Sequence, residues 1–389
     1  MVTETTTRSI PLADVVVDEE LLAAAHEALA SGWWSTGPRV ETFEAACAEF
    51  FGVEHAVAVS NGTAALHLAL LACECGPGDE VVLPSLTFVA AANVVRHAGA
   101  VPVFCDIRGP EDLNLDPEDA EAAVGPRTKA LLLLHYGGFP CDMDAVTAIA
   151  ERHGLVLIED AAHAPGSTWR GRMCGTLGRV GCFSFFSNKN LPVGEGGLCV
   201  TNDDDVAERL RHLRSHGMTS LTWDRHRGHA HAYDVVAPGF NYRLDEVRAA
   251  VGLVQLGRLE ERNAARARIV ERYRERLRGV EGLVFPFSEA SPDEVYAHHL
   301  AAVLLPEGVG RPGVQEAMRS RGVQTSVHYP PIHHFSAYAD APTRPLPATE
   351  DVAGRLLSLP LYPHMTEDDV EGVGEALVTA LARTGSAAR

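Results

Sequence analysis

Short apolar runs alternate with amphipathic stretches over the first two-thirds of the chain. HAVAVS (55–60) is followed by the helical stretch TAALHLALLA (63–72), GDEVVLPS (78–85) by FVAAANVVRHAG (88–99), a helix closed by glycine. VPVFCDI (101–107), KALLLLHY (129–136) and LVLIED (155–160) predict three further strands, with the helix DAVTAIAERHG (144–154) between the last two. GCFSFF (181–186) and LCVT (198–201) predict two more. Strands apolar on both faces, separated by helices of about ten residues, predict a parallel sheet covered on both sides with right-handed crossovers. From Leu244 the pattern changes, and residues 244–277, rich in Arg, Glu, Ala and Leu, read as one long helix. Beyond it come a strand at HHLAAVLLP (298–306), a helix at GVQEAMRSRG (313–322), a Pro-containing loop at HYPPIHHF (328–335) and a final helix around 367–383. The expected architecture is a large α/β domain over residues 1–250, with an N-terminal arm over 1–30, and a smaller α+β domain over 251–389.

At 389 residues, with 46% hydrophobic and 22% charged positions, the chain can bury a large core, which excludes global disorder. The balance of 33 Lys+Arg against 52 Asp+Glu leaves a net charge of −19. Such a surface repels phosphodiester backbones and anionic lipid, so neither nucleic acid nor membrane is an expected partner. A small anion needs only a few local donors and is not excluded. No apolar run approaches the ~20 residues of a bilayer span, and MVTETTTRSIPLADVV lacks the basic start and apolar core of a signal peptide. The expected location is the cytoplasm. Eight cysteines without a CxxC spacing read as buried, reduced core residues. The histidine-rich stretch HRGHAHAY (226–233) has no helical HxxxH spacing and reads as a solvated loop, so no metal is expected.

In an open parallel sheet, ligands bind beyond the carboxyl ends of the strands, so candidate chemistry is sought there. Asn61-Gly62-Thr63-Ala64 turns a strand into a helix N-terminus, where backbone N–H groups and the helix dipole favour a phosphate; an ordinary helix cap would use the same residues. Asp160 ends a strand apolar on both faces, where a carboxylate is costly unless a cation pairs with it. A structural ion pair or cap is the alternative there, and His163 could equally be a satisfied core histidine. Lys189 lies between an apolar strand and the glycine turn Gly194-Glu195-Gly196-Gly197; alone it would pass for a surface charge. Together, a phosphate cradle, a buried carboxylate and a poorly solvated lysine are what pyridoxal 5′-phosphate (PLP) requires. Its aldehyde needs an amine, its pyridine nitrogen an anion and its phosphate free N–H groups.

Eight motifs carry a resemblance across roughly residues 10–385: SGWWSTGPRVETFE (31–44), VSNGTAALHLAL (59–70), LPSLTFVAAAN (83–93), IEDAAHAPGS (158–167), FSFFSNKNLPVGEGG (183–197), GFNYRLDEVRAA (239–250), VQTSVHYPPIH (323–333) and SLPLYPHMT (358–366). The chain resembles the fold-type I PLP-dependent transferases and, within them, the DegT/DnrJ/StrS sugar aminotransferases. The resemblance implies that Lys189 is the Schiff-base lysine and proton carrier. Histidine there would point to dehydration instead. It implies that Asp160 is the pyridine-nitrogen partner, with Glu159 turned away by strand alternation. Phe88 would stack on the cofactor ring, and His163 stands beside its 3′-oxygen or ring face. Gly62, Thr63, Ala64 and Ser184 match phosphate-binding positions. Asn241 and Arg243 match residues supplied by the neighbouring subunit of a homodimer with shared active sites, Asn241 toward the phosphate and Arg243 toward the donor carboxylate. The residues alone favour a surface turn there, with Arg243 pairing with Asp245. His328 and Tyr329 match a loop on the sugar-nucleotide side.

The implied reaction moves an amino group from an amino acid, glutamate being the expected donor, onto a nucleotide-linked keto-deoxysugar at C4. Amination at C3, a keto-cyclitol acceptor and a PLP-dependent sugar dehydratase are the alternatives. A nucleotide-binding dehydrogenase is disfavoured because no GxGxxG follows the first strand.

Overall fold

A computed structural model describes residues 9–220, 223, 232–289, 291 and 294–386. The histidines of 226–231 therefore lie outside the described residues.

The strands that position the site are β1 (His55–Val59), β2 (Glu80–Pro84), β3 (Val101–Cys105), β6 (Thr128–Leu134), β7 (Val156–Asp160), β10 (Val180–Ser184) and β11 (Gly197–Thr201). Two short hairpins, β4 (Ile107–Gly109) with β5 (Asp112–Leu115) and β8 (Thr168–Trp169) with β9 (Arg172–Met173), stand outside the one sheet that the seven strands form. Its order is β1-β11-β10-β7-β6-β2-β3. All neighbours run parallel except β11, which is antiparallel to both β1 and β10. Because β11 reverses twice, β1 and β10 still point the same way. The carboxyl ends of β1, β10, β7, β6 and β2 therefore meet at one edge. The near-continuous apolar runs follow from this: β2 is buried along its whole length, as a strand covered on both faces must be.

Helix α3 (Gly62–Ala72) shows the consequence for a helix. Ala64, Ala65, Leu66, His67, Leu68, Ala69, Leu70 and Ala72 are all buried, so no polar face remains. Such a helix is an interior element, and each buried leucine contributes about 1.5–3 kcal/mol. Its position beside β10 and β11 fixes where its N-terminus points. All eight cysteines are buried.

The expected single helix over 244–277 is two: α8 (Glu246–Leu256), capped by the Asp245 carboxylate, and α9 (Leu259–Leu277). Gly257 and Arg258 part them, Arg258 having φ −108 and ψ 0. The Arg/Glu/Ala/Leu composition carried no signal for this break, because only glycine's weak propensity marks it.

A second core forms around α9, the strand pair β12 (Ala301–Leu304) and β13 (Leu356–Leu359), and the C-terminal helix Glu367–Ser386. The β13 run was missed in the sequence because LLSLPL is short and flanked by proline. Chain ends cross between the two cores. Ile10 bridges to Val323 and is buried in the second core, and Leu12 accepts the Leu361 N–H at 3.0 Å. Conversely, Ile332, Tyr338, Ala341 and Leu346 pack against the large sheet's core.

Candidate active site

The converging strand ends enclose a cleft of about 610 Å³. Gly62, Thr63, Ala64, Phe88, Asp160, His163, Ser184, Lys189, His328 and Tyr329 all line it. Asn241 and Arg243 do not, although Tyr242 between them does.

At one end stands the N-terminus of α3. Asn61 caps it, its Oδ1 accepting the Ala64 N–H at 2.8 Å. Gly62 and Thr63, in the first turn, have no intrahelical acceptor, whereas the Ala64 N–H is already used by the cap. Glycine is required at 62 by close approach: a Cβ there would lie 2.7 Å from the Ser184 Cβ and 3.1 Å from its Oγ. The helix end and the end of β10 thus form a cradle that a side chain would fill.

Asp160 and Glu159 are separated by strand alternation, as expected. Glu159 points into the protein, where it accepts N–H groups from Gly175 (2.7 Å), Leu177 (2.7 Å) and Gly178 (2.5 Å) and contacts His135 Nε2 at 2.8 Å. It holds the turn before β10 in place. Asp160 faces the cleft and accepts the Ala162 N–H at 3.1 Å. Burial pushes its carboxyl up from the usual range, against the opposing pull of that N–H and of Lys189. An ionised Asp160 thus calls for a cation in the cleft.

Lys189 follows β10 on the turn that leads to β11. Burial lowers its amine to about 8, Asp160 acting in the opposite sense. At pH 7 about a tenth is therefore free amine, far more than for an ordinary lysine, and this is the form that can attack a carbonyl. The chain holds only one other lysine, Lys129.

His163 uses both ring nitrogens. The Gly137 N–H donates to Nδ1 at 3.3 Å, so Nε2 carries the proton and donates to the Tyr329 hydroxyl at 2.9 Å. The donor expected beside the cofactor is taken up by Tyr329, whose own O–H is the one left to point onward. Burial, then Lys189 and His328, hold His163 well below its ordinary range. His328 is likewise lowered to about 4, by burial first and Lys189 second. Phe88 is 51% exposed at the mouth, its ring 5.6 Å from that of Tyr329.

Asn241 is exposed, and its backbone bridges to Ser215. Arg243 bridges to Val59, so residues 241–243 run beside the end of β1. The pairing of Arg243 with Asp245 does not form: Asp245 caps α8 and lies 3.4 Å from Arg248. The Arg243 Nη1 is buried without a hydrogen-bond partner among the described residues, and burial lowers its guanidinium.

Sequence reasoning missed four groups. Tyr242 and Asn188 line the cleft, and Asn188 Oδ1 is buried without a partner among the described residues. Asn190 and His299 lie behind Lys189. Asn188 and Asn190 flank Lys189 in SNKN and could have been suspected from adjacency. His299 is 110 residues from Lys189 and had no local signal.

A mostly parallel sheet whose strand ends gather a half-buried lysine, a buried aspartate and a helix N-terminus defines an enzyme of the transaminase type. Within that class the chain belongs to the DegT/DnrJ/EryC1/StrS aminotransferase family, whose model matches residues 16–378. It is 42% identical over 376 residues to the spore coat polysaccharide biosynthesis protein SpsC of Bacillus subtilis (strain 168), covering 95% of this chain and 96% of that protein. Among solved structures it is similar to the aminotransferase TlmJ from Streptoalloteichus hindustanus, with a TM-score of 0.90 and 39% identity over 97% of this chain and 100% of that one. It is also similar to DesI, solved in the presence of its TDP-sugar product, with a TM-score of 0.87 and 36% identity over 98% of this chain and 95% of that one. Among the described residues no helix is long and apolar enough to cross a membrane.

Proposed function

We propose that this sugar aminotransferase uses PLP to move the amino group of glutamate onto the C4 keto carbon of a nucleotide-linked deoxysugar. The observation that carries the reading is the alignment of three groups along one cleft: the α3 N-terminus, Lys189 and Asp160. The Gly62–Ser184 cradle and the N–H groups of Gly62 and Thr63 would hold the phosphate. Asp160 would hold a proton on the pyridine nitrogen, and Phe88 would cover the ring. When bound, PLP supplies an electron sink for the carbon from which a proton leaves.

The chain's own residues do the rest. Lys189 would hold the cofactor through Nζ and, once the donor's amine has displaced it, would as a free amine take and return a proton at Nζ. Tyr329, oriented by His163, offers its O–H to an oxygen in the cleft. The nucleotide-sugar part of the reading is supported by DesI, solved with a TDP-sugar product; the C4 position is supported by the motif FSFFSNKNLPVGEGG (183–197). Incubating the enzyme and glutamate with a panel of nucleotide 4-keto and 3-keto sugars tests it. Amino-sugar formation from a 4-keto substrate at least tenfold faster than from any 3-keto substrate is expected. The reverse order would move the reaction to C3.

The same reading makes the active unit a homodimer in which Asn241 and Arg243 reach the partner's cleft. Their absence from the cleft of their own chain, together with the unpartnered Arg243 Nη1, supports it. Lys189→Ala chains and Asn241→Ala/Arg243→Ala chains should each be inactive alone. After random co-assembly, half of the dimers are mixed, and each has one site with both lesions and one with neither. Recovery to about a quarter of wild-type activity is therefore expected, measured as amino-sugar formation after mixing. No recovery in verified mixed dimers would rule out the shared site.

A further inference from the structure

The Lys189 amine has a neighbour to which none of these roles is assigned. His299 lies just before β12, on the segment that the Gly137 carbonyl clamps by accepting the His299 N–H at 2.8 Å. Gly138 permits this approach: with φ +94, a Cβ there would lie 2.9 Å from the His298 nitrogen. The ring of His299 is 5% exposed, and its Nε2 is 3.4 Å from Lys189 Nζ. That is the loose end of the hydrogen-bond range, as is common before a site is filled.

A chain of amides determines which ring nitrogen carries the proton. The Pro165 carbonyl can only accept, and it accepts from Asn263 Nδ2 at 2.9 Å. Asn263 therefore turns its Oδ1 to Asn190, whose Nδ2 donates to it at 2.7 Å and to the Ala297 carbonyl at 2.7 Å. With both amide hydrogens of Asn190 engaged, its Oδ1 is the atom that meets His299 Nδ1 at 2.9 Å. A carbonyl oxygen cannot donate, so Nδ1 is the protonated nitrogen. Nε2 is left with a lone pair directed at Lys189. Adding a second proton is opposed by burial, and then by Lys189, His163, Arg266 and His328 around the ring.

We propose that His299 is a positioning residue for the Lys189 amine: held in the Nδ1–H tautomer by Asn190 and Asn263, it accepts one N–H from Nζ and turns the amine lone pair into the cleft. The proposal rests on the reading of Lys189 as the reacting amine. Because Nε2 has no proton to give and is poorly able to take one, the pair keeps a transferred proton on Nζ and does not pass it outward. The amide chain begins after β7 and runs through α9, so the second core sets the geometry of a lysine carried by the first.

Two readouts test this on the full chain freed of cofactor. Nitrogen NMR of histidine-labelled protein, with His299 assigned by difference against His299→Gln, should show an unprotonated Nε2 from pH 6 to 9. A protonated Nε2 at neutral pH would overturn the proposal, and this wild-type measurement stands even if a variant fails to fold. Second, lysine reactivity toward reductive methylation can be followed against pH by peptide mass, with Lys129 as an internal reference. A neutral acceptor favours the ammonium over the amine, so His299→Phe should move the Lys189 midpoint down by roughly one pH unit, while His299→Gln, which keeps an acceptor, moves it less than half as far. An unmoved midpoint in folded His299→Phe, or equal movement of Lys129, would overturn it. In the loaded enzyme, His299→Phe should lower kcat roughly 10- to 100-fold with KM changed less than about threefold. Since tautomer and midpoint are read without cofactor or substrate, inactivity of the wild-type chain toward every keto sugar would refute the proposed reaction while leaving both readouts as predicted.

Discussion

Lys189→Ala should reduce amino-sugar formation to below about 0.1% of wild type. Loss of a positioned base alone costs roughly 10²–10⁴-fold, and in the proposed reaction the same amine would also make the covalent bond. No other residue can take over. The only other lysine, Lys129, lies on β6 one residue before Ala130, which pairs with Val156 near the start of β7. The site is at the opposite end of those strands, beside the Leu134–Asp160 pair. Five residues of strand separate Lys129 from Leu134, about 16 Å at ~3.3 Å per residue. Borohydride reduction of the enzyme with PLP should therefore add the cofactor's mass to the Lys189 peptide. The same mass on the Lys129 peptide would show that the wrong amine was assigned.

Asp160→Asn should lower kcat more than a hundredfold, a rise in barrier of ~3 kcal/mol or more, while cofactor retention falls far less. An amide keeps the size and one acceptor but loses the charge that would hold a proton on the ring nitrogen. The cradle of Gly62, Thr63 and Ser184 proposed for the phosphate is left unchanged, so the cofactor should stay bound. Glu159→Gln is the contrasting variant. Its carboxylate accepts three backbone N–H groups in the turn before β10, so the damage should appear as a lower Tm with kcat of the surviving fold largely kept. Turnover followed at saturating substrate, with thermal melts of both variants, separates the two effects. Near-wild-type turnover in Asp160→Asn beside an inactive but folded Glu159→Gln would exchange their roles.

The contrast between these adjacent acids shows what kind of information the chain carries locally. Alternation along a strand is a property of two neighbouring residues, so Asp160 and Glu159 could be assigned opposite faces before any tertiary structure was known. The same holds for the cradle. A strand, a glycine and an N-cap asparagine occur within a few residues, and α3 begins at Gly62 as that pattern implies, while its close approach to Ser184 comes from packing against β10. Lys189 was legible only in combination: alone it would pass for a surface charge, and the cradle, Asp160 and the SNKNL motif together singled it out.

Other features depended on chain segments far apart. The break between α8 and α9 has a weak local mark, and only packing decides whether a helix bends or stops at one glycine. For His163 the residues alone left a satisfied core histidine open beside the cofactor position that the resemblance implies, and only the Gly137 N–H and the Tyr329 hydroxyl determine its tautomer and its partner. His299 could not be associated with Lys189 from sequence at all, since the contact spans 110 residues and is created by β12 docking against the turn after β6. The sequence by itself determined the seven strands of the large sheet and the cap of α3, because periodicity, capping and turn chemistry act over a few residues, whereas Lys189 and Asp160 stood out only together, at strand ends and within the family's motifs. Only the tertiary structure decided which nitrogen faces the amine and which residues stay outside their own cleft, because those depend on hydrogen-bond partners that distant segments bring into contact.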